Sequence, residues 1–422
     1  MGRGRGGLPA AWRPAFLNAP RARGRNRSQE VVIHAPEAWV LRSGATAGSH
    51  DGGPGGALCR DRFPFGPLEE GEALVEPILG SWEANMDHAL TRSPIDVCSS
   101  RGEDSVVLGN LGVVRVLDVH RGGRDLPVRE GDLCLLMPFG KRDRYDYAEL
   151  AYAYDCPGTI GLLARRTKLD ARLLLTVPDG TAYSLAQWAT YGRYFTAWDN
   201  WHKAYGCWRT QVADDDPAGH LVFGWGGGVA FAELLLARRA GFRVAMTAGS
   251  DERLAFLREN GIIPVDRRRF PDLSLPGPRE RADRDLHRRR RTSVKGFLEL
   301  VDDLSEGHGA SIFVDNIGEP LYDVTLAALA REGVVTTCGW KAGMRVSHLR
   351  GAESISRHIH VNTHVWRLPD SPGIRDFMEA EGWIAPKGSD VIYDFDQVPE
   401  LADDYANGRI GSYFPLYRVN PL

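Results

Sequence analysis

The stretch "HLVFGWGGGVAFAELLLARRAGFRVAMTAGSDERL", residues 220–254, has residue types and spacing that specify chemistry by themselves. An apolar run holding Gly224 ends in three consecutive glycines, Gly226, Gly227 and Gly228, and an amphipathic run follows from Val229. A strand that ends in a glycine turn and runs straight into a helix aims unpaired backbone N–H groups and the positive helix end at one point, which suits a diphosphate. Glycine permits the tight turn and lets the anion approach the main chain. A glycine cluster alone is weak evidence. The strand before it, the helix after it and a second strand about 20 residues on favour a dinucleotide site over a bare structural turn.

The end of that second strand selects the dinucleotide. An NAD site usually places Asp or Glu there to hold the ribose hydroxyls, whereas "MTAGSDER" offers small neutral residues, then Ser250 and Arg253. A carboxylate repels a 2′-phosphate, while a hydroxyl and a guanidinium bind it, so NADPH is the expected coenzyme. Asp251 stands as the alternative ribose ligand or as the first-turn acid of the next helix.

These residues need a scaffold, and the pattern supplies one. From residue 220, apolar strands alternate with periodic helices ("HLVFGW", "FRVAMTA", "IIPVD", "ASIFVDNIG" and "VVTTCGW" between "VAFAELLLARRAG", "SDERLAFLRENG" and "EPLYDVTLAALAREG"), which predicts a doubly wound parallel sheet. Residues 72–175 read instead as short strands broken by glycine and proline, a β-rich barrel-like unit. The stretch "DVIYDFDQVPELADDYANGRIGSYFPLYRV" is expected to return to that unit. The insertion at 267–295 is too polar for core, and its run 288–291 with Lys295 reads either as a binder of coenzyme A or carrier-arm phosphates or as a solvated face.

Composition excludes several classes. With 43% hydrophobic and 25% charged residues and a net charge of -3, nothing calls for a nucleic-acid partner. The scarcity of lysine among 52 basic residues reflects an arginine-rich codon bias. Six scattered cysteines without a C-x-x-C pair suit reduced thiols in a cytosol. No apolar run is long enough to span a bilayer. Residues 1–30, with seven arginines and one acid, resemble a transit peptide superficially and read as a disordered leader or an early-assigned start.

The order of β-rich unit, Rossmann half and return resembles the medium-chain dehydrogenase/reductase family. "FGWGGGVAF" stands where that family has an Ala-Ala-Gly-Gly-Val-Gly type of loop, with Ala230 in place of the last glycine. "YFTAW" (194–198) is similar to its segment beside the nicotinamide, and "FVDNIG" (313–318) to its fourth strand. The resemblance implies an α/β fold in which a GroES-like substrate domain (31–190 and 366–422) precedes and follows a Rossmann domain (191–365). It implies coenzyme contacts from Thr196, Asn316, Gly339, Trp340 and Asn362, and a homodimer or homotetramer. Thr196 read on its own is equally a core threonine. The zinc branch has Gly-His-Glu where this chain has Gly109, Asn110 and Leu111, and the four clustered cysteines of a structural zinc are missing, so no metal is expected and Cys98 reads as a buried thiol.

Within the zinc-free branch, "GEALVEPILGSWEAN", the charged insertion, "GVVTTCGWKAG" and "HIHVNTHVWRL" resemble crotonyl-CoA carboxylase/reductases. That likeness implies reduction of an α,β-unsaturated acyl thioester on coenzyme A or a carrier protein, with His364 at a carbon dioxide-holding histidine and able to donate a proton. Glu83 falls on the asparagine of that pocket, with Asn85 two residues on; a carboxylate there repels a newly formed carboxylate, which argues against carboxylation. Trp82, Trp198 and Trp340 either wall an apolar pocket or simply pack. Two other readings stay open: a quinone or ketone reductase, and a non-catalytic dinucleotide-binding protein.

Overall fold

The computed structural model describes residues 34–44, 54–277, 279–280, 282–339, 347–363 and 366–422. The leader at 1–30, Trp340 and His364 lie outside them. Alternating apolar runs of the first unit form β1 (Glu37–Arg42), β2 (Leu58–Arg62), β3 (Glu72–Ser81), β4 (Ser105–Val106), β5 (Gly112–Val119), β6 (Leu133–Leu136), β7 (Phe139–Arg142), β8 (Ala148–Ala151), β9 (Thr167–Asp170) and β10 (Leu174–Thr176). Short helices α1 (Ala84–Thr91), α2 (Val97–Arg101) and α3 (Leu185–Ala189) interrupt or follow them. A 21-residue helix, α4 (Tyr191–Gln211), then crosses to the second unit. The sequence pattern does not announce α4, because its aromatic, Gly and Thr residues are mediocre helix formers and its first two turns, 191–197, are buried all round, a one-sided stripe appearing only from Asn200 to Trp208.

The second unit is a six-stranded parallel sheet of β11 (Leu221–Trp225), β12 (Arg243–Ala248), β13 (Ile263–Asp266), β14 (Ala310–Asp315), β15 (Leu329–Thr337) and β16 (His360–Thr363), in the order 13-12-11-14-15-16. Relabelled from one, this is 3-2-1-4-5-6, the doubly wound dinucleotide-binding order. Helices α5 (Gly228–Arg239), α6 (Asp251–Glu259), α7 (Arg284–Leu304) and α8 (Tyr322–Ala328) cover its faces. Along β11 the side chains alternate between two cores: Val222 faces the α4–α5 side, whereas Leu221, Phe223 and Trp225 face α7. Trp225 stacks on Phe297 at 5.3 Å, which seats α7 on the sheet. The polar insertion is therefore partly a covering helix, burying Ser293, Phe297 and Val301 beneath a basic outer face.

The chain then returns through α9 (Ser371–Glu381), β17 (Asp390–Asp394), α10 (Val398–Ala406) and β18 (Phe414–Arg418). β18 pairs antiparallel with β3 and parallel with β17, so the last strands complete the sheet of the first unit, as the sequence suggests. On the way, the Trp383 Nε1 donates to the Ala232 carbonyl of α5 at 3.1 Å, and Tyr413 stacks on Phe231. These contacts fix α5 against the C-terminal return of the chain.

Candidate functional site

The glycine turn lies at the C-terminal edge of the parallel sheet, and each glycine there has its own reason. Gly226 has φ +148°, and a Cβ on it would fall 2.9 Å from the Asn316 Cβ. A Cβ on Gly228 would fall 2.8 Å from both the Phe414 ring and the Tyr413 carbonyl, so this residue is small because the C-terminal segment packs on it. A Cβ on Gly224 would lie 3.1 Å from Leu234, where helix meets strand. Gly227 alone of the four opens outward, exposed and with nothing within 4 Å of a Cβ. It is itself the N-cap of α5 and, having no side chain, leaves the first-turn N–H groups without a side-chain cap. Val229 is half-buried in that first turn.

Two amides lie along the same edge, Asn316 against Gly226 and Asn362 three strands away on β16. Asn316, directly after β14, accepts from the Cys338 N–H at 3.0 Å, while its Nδ2 is turned toward the Glu233 carboxyl without closing a full hydrogen bond. Gly339 approaches the Asn316 carbonyl so closely that a Cβ would fall 2.9 Å from it. Asn362 on β16 also has a buried Nδ2 without a partner. Such donors need a partner to offset their burial, and the edge of the sheet where they lie is where a ribose or carboxamide fits.

Two expected coenzyme contacts are engaged elsewhere. The Arg253 guanidinium donates to the carbonyls of Ile410, Gly411 and Ser412, each at 2.9 Å, and lies 4.7 Å over the Tyr413 ring. Burial lowers its pKa, and its role here is to clamp α6 to the C-terminal segment. Thr196 sits on helix α4, not on a strand; its hydroxyl donates to the Gly192 carbonyl at 3.0 Å and accepts from the Trp366 Nε1 at 2.8 Å. Ser250 caps α6, accepting from the Arg253 N–H at 3.3 Å. Asp251 pairs with Arg268, as a first-turn acid would.

A second cation, not singled out from the sequence, lies at the end of the neighbouring strand beside the Ser250 turn. Arg267, directly after β13, packs on the bare main chain before Ser250: a Cβ on Gly249 would fall 2.3 Å from its Nε. Arg267 is exposed and forms no ion pair among the described residues. The signal available was "PVDRRR" at the end of the third strand, obscured by two neighbouring arginines of which Arg268 is tied to Asp266 and Asp251.

On the β-rich side, Glu83 is held. Its Oε1 accepts from the Arg193 Nε at 2.9 Å and the Ser81 Oγ at 2.6 Å, while Arg193, 5% exposed, also donates to the Tyr413 and Trp82 carbonyls. Glu83 is thus a compensated charge joining β3, α4 and β18. Asn85 on α1 keeps a buried Oδ1 without a partner, and Asn110 is 1% exposed with neither amide atom bonded. Among the described residues no three His, Cys, Asp or Glu side chains are grouped to hold a metal ion. Trp198 packs on Phe377 and Trp383, and Trp82 lies edge-on to Tyr417, both as ordinary core. In the basic run, Arg288, Arg289, Arg290 and Lys295 each face a carboxylate of this chain. All six cysteines are unpaired, and no described helix is long and apolar enough to cross a membrane.

An open sheet in the order 3-2-1-4-5-6 with a second, β-rich unit closed by the chain's own C-terminal strands defines the architecture of medium-chain dehydrogenases and reductases. Solved structures agree. The chain superposes on a crotonyl-CoA carboxylase/reductase, AntE, in complex with NADP (TM-score 0.72, 18% identity, covering 91% of this chain and 94% of that one). It matches the 2-octenoyl-CoA carboxylase reductase CinF in complex with NADP and 2-octenoyl-CoA (0.71, 18%, 92% and 88%) and an NAD-dependent alcohol dehydrogenase (0.68, 18%, 91% and 100%). At such identities the likeness is one of fold. No protein-family model and no curated protein matches the sequence.

Proposed function

We propose that this chain is a zinc-independent, NADPH-dependent reductase of an α,β-unsaturated acyl thioester carried on coenzyme A or a carrier protein. The observation that carries the reading is Gly227, a bare and outward-facing residue that joins a strand end to a helix start, on the sheet edge that also carries the Asn316 and Asn362 amides. The coenzyme would supply a hydride to the β-carbon. The protein's part is positioning: main chain at 226–228 for the diphosphate, Ser250 with Arg267 for the 2′-phosphate, and the amides of Asn316 and Asn362 for the ribose and nicotinamide end. Neighbours bound to NADP and to 2-octenoyl-CoA support the donor and the substrate class. We further propose the division at residues 191 and 366, a cytosolic setting and a homodimer or homotetramer.

The pairing of Glu83 with Arg193 leaves no free carboxylate to repel a product, yet it also removes Glu83 from direct substrate work. Incubation with NADPH and a series of enoyl-CoAs, with and without bicarbonate, tests the reading through loss of nicotinamide absorbance. Thioester-dependent oxidation supports it, and bicarbonate dependence adds carboxylation. Oxidation by quinones or ketones alone replaces the substrate, and tight binding without turnover makes the chain a non-catalytic dinucleotide-binding protein.

A further inference from the structure

Helix α5 carries an acid that the proposed chemistry does not use. Glu233, fully buried, accepts from the Asn200 Nδ2 of α4 at 2.9 Å, and Asn200 in turn accepts from the Thr336 Oγ1 of β15 at 2.7 Å. The Asn316 amide lies at the carboxyl's other side without closing a full hydrogen bond, so Glu233 Oε1 and Asn316 Nδ2 both lack a partner. Asn316 is the residue wedged between Gly226 and Gly339. One carboxyl therefore joins the dinucleotide helix, α4 and the ends of β14 and β15.

Cations on the elements packed against α5 are engaged elsewhere: Arg193 with Glu83, Lys203 with Asp199 and Arg243 with Glu306. Asp315 of β14 accepts from the Thr325 hydroxyl and the Ile317 and Gly318 N–H groups. The Cys338 thiol, after β15, is the titratable group that feels Glu233, and burial drives its pKa far up. Among the described residues no cation pairs with Glu233, so an ionised carboxylate here would lack a described counter-charge and would oppose an anion bound at the start of the same helix.

We infer that Glu233 is a positioning residue that must carry its proton for a dinucleotide to dock on the glycine turn, so that coenzyme binding and Glu233 ionisation exclude each other. The inference rests on the coenzyme reading above and goes beyond it. Burial pushes this carboxyl up to about 8, against the smaller opposing pull of the Asn200 and Asn316 amides. Below that pH the site is ready; above it, binding must first take up a proton.

Calorimetric titration of the full chain with NADPH, in paired buffers of different protonation heat, reads this directly. For the wild type we expect no proton uptake at pH 7, uptake approaching one proton above pH about 8, and affinity falling about tenfold per pH unit there. Glu233→Gln, a permanently neutral mimic, is expected to bind at pH 7 and to show neither effect; Cys338→Ala is expected to keep both. Equal pH dependence in the wild type and Glu233→Gln, or a flat wild-type profile, overturns the inference while leaving the coenzyme reading intact. Failure of the wild type to bind NADPH at pH 7 overturns both. Infrared difference spectra of the coenzyme-free protein give a separate readout: the C=O stretch of a neutral carboxylic acid should vanish in Glu233→Gln, and its absence from the wild type at pH 7 also overturns the inference.

Discussion

The two edges of the parallel sheet are built from the same strands and satisfy their polar groups in opposite ways. At the N-terminal edge, His220 bridges the Ser311 hydroxyl at 2.6 Å and Asp215 at 2.9 Å, and Arg243 donates to the Leu304 carbonyl at 2.6 Å and to Glu306 at 3.1 Å. The Ser–His–Asp arrangement has the outline of a hydrolytic triad, but Ser311 is 3% exposed on a central strand and cannot meet a substrate. At the C-terminal edge, Asn316, Asn362 and Glu233 keep buried atoms without partners, and Gly227 leaves main chain bare. A closed network stabilises a fold; unmatched donors around bare backbone cost stability unless a ligand completes them. The contrast is the reason for proposing the site at the C-terminal edge.

The contrast can be broken most strongly at Gly227. Gly227→Asp adds a carboxylate in open space, so the melting temperature should hold while NADPH affinity falls at least about 100-fold, roughly 2.7 kcal/mol; unchanged affinity would place the diphosphate elsewhere. Next in size, Arg253→Ala should lower unfolding free energy by about 2 kcal/mol through loss of its charged hydrogen bonds, measured by denaturant titration. Its preference for NADPH over NADH should persist. Arg267→Ala should do the reverse, weakening NADPH about 10-fold or more with NADH binding and stability unchanged; loss of both coenzymes alike would remove Arg267 from the 2′-phosphate.

Stability against pH sharpens the same comparison. Glu233 is neutral in the fold and ionised in the unfolded chain between its ordinary 4.5 and about 8, so the native state holds the extra proton across that window. The stabilisation is complete below the lower value and is lost as pH rises, by about 1.4 kcal/mol per unit at most. Denaturant midpoints of Glu233→Gln should lack that slope. The smallest effect is expected at the satisfied edge, where Ser311→Ala should cost about 1 kcal/mol and leave coenzyme binding untouched.

Much of the scaffold was legible from period and punctuation. The strand, glycine turn and helix at 221–239 declare themselves because a positive φ at Gly226 and close packing at Gly224 and Gly228 demand glycine, and the apolar strands because both sheet faces are covered. Arg253 misled, since a guanidinium at the right spacing for a phosphate is equally suited to three carbonyls brought from residues 410–412. Arg267 and Glu233, to which roles are proposed above, do not stand out in the sequence for the opposite reason: one hides in an arginine run, and the other reads as a polar residue on an amphipathic helix until α4 covers it.

By itself the sequence determined that a parallel nucleotide-type sheet forms, that a β-rich unit precedes it and that a glycine turn joins the first strand to its helix, because these follow from local periodicity and from the small size of glycine; which of those glycines stays bare was left to the packing. Only the tertiary structure decided which polar groups at that edge are engaged and which are open. Hydrogen bonds such as Arg253 to residues 410–412, Arg193 to Glu83 and Asn200 to Glu233 join residues distant in the chain, and burial, which sets the charge of an acid, is a property of the packed whole.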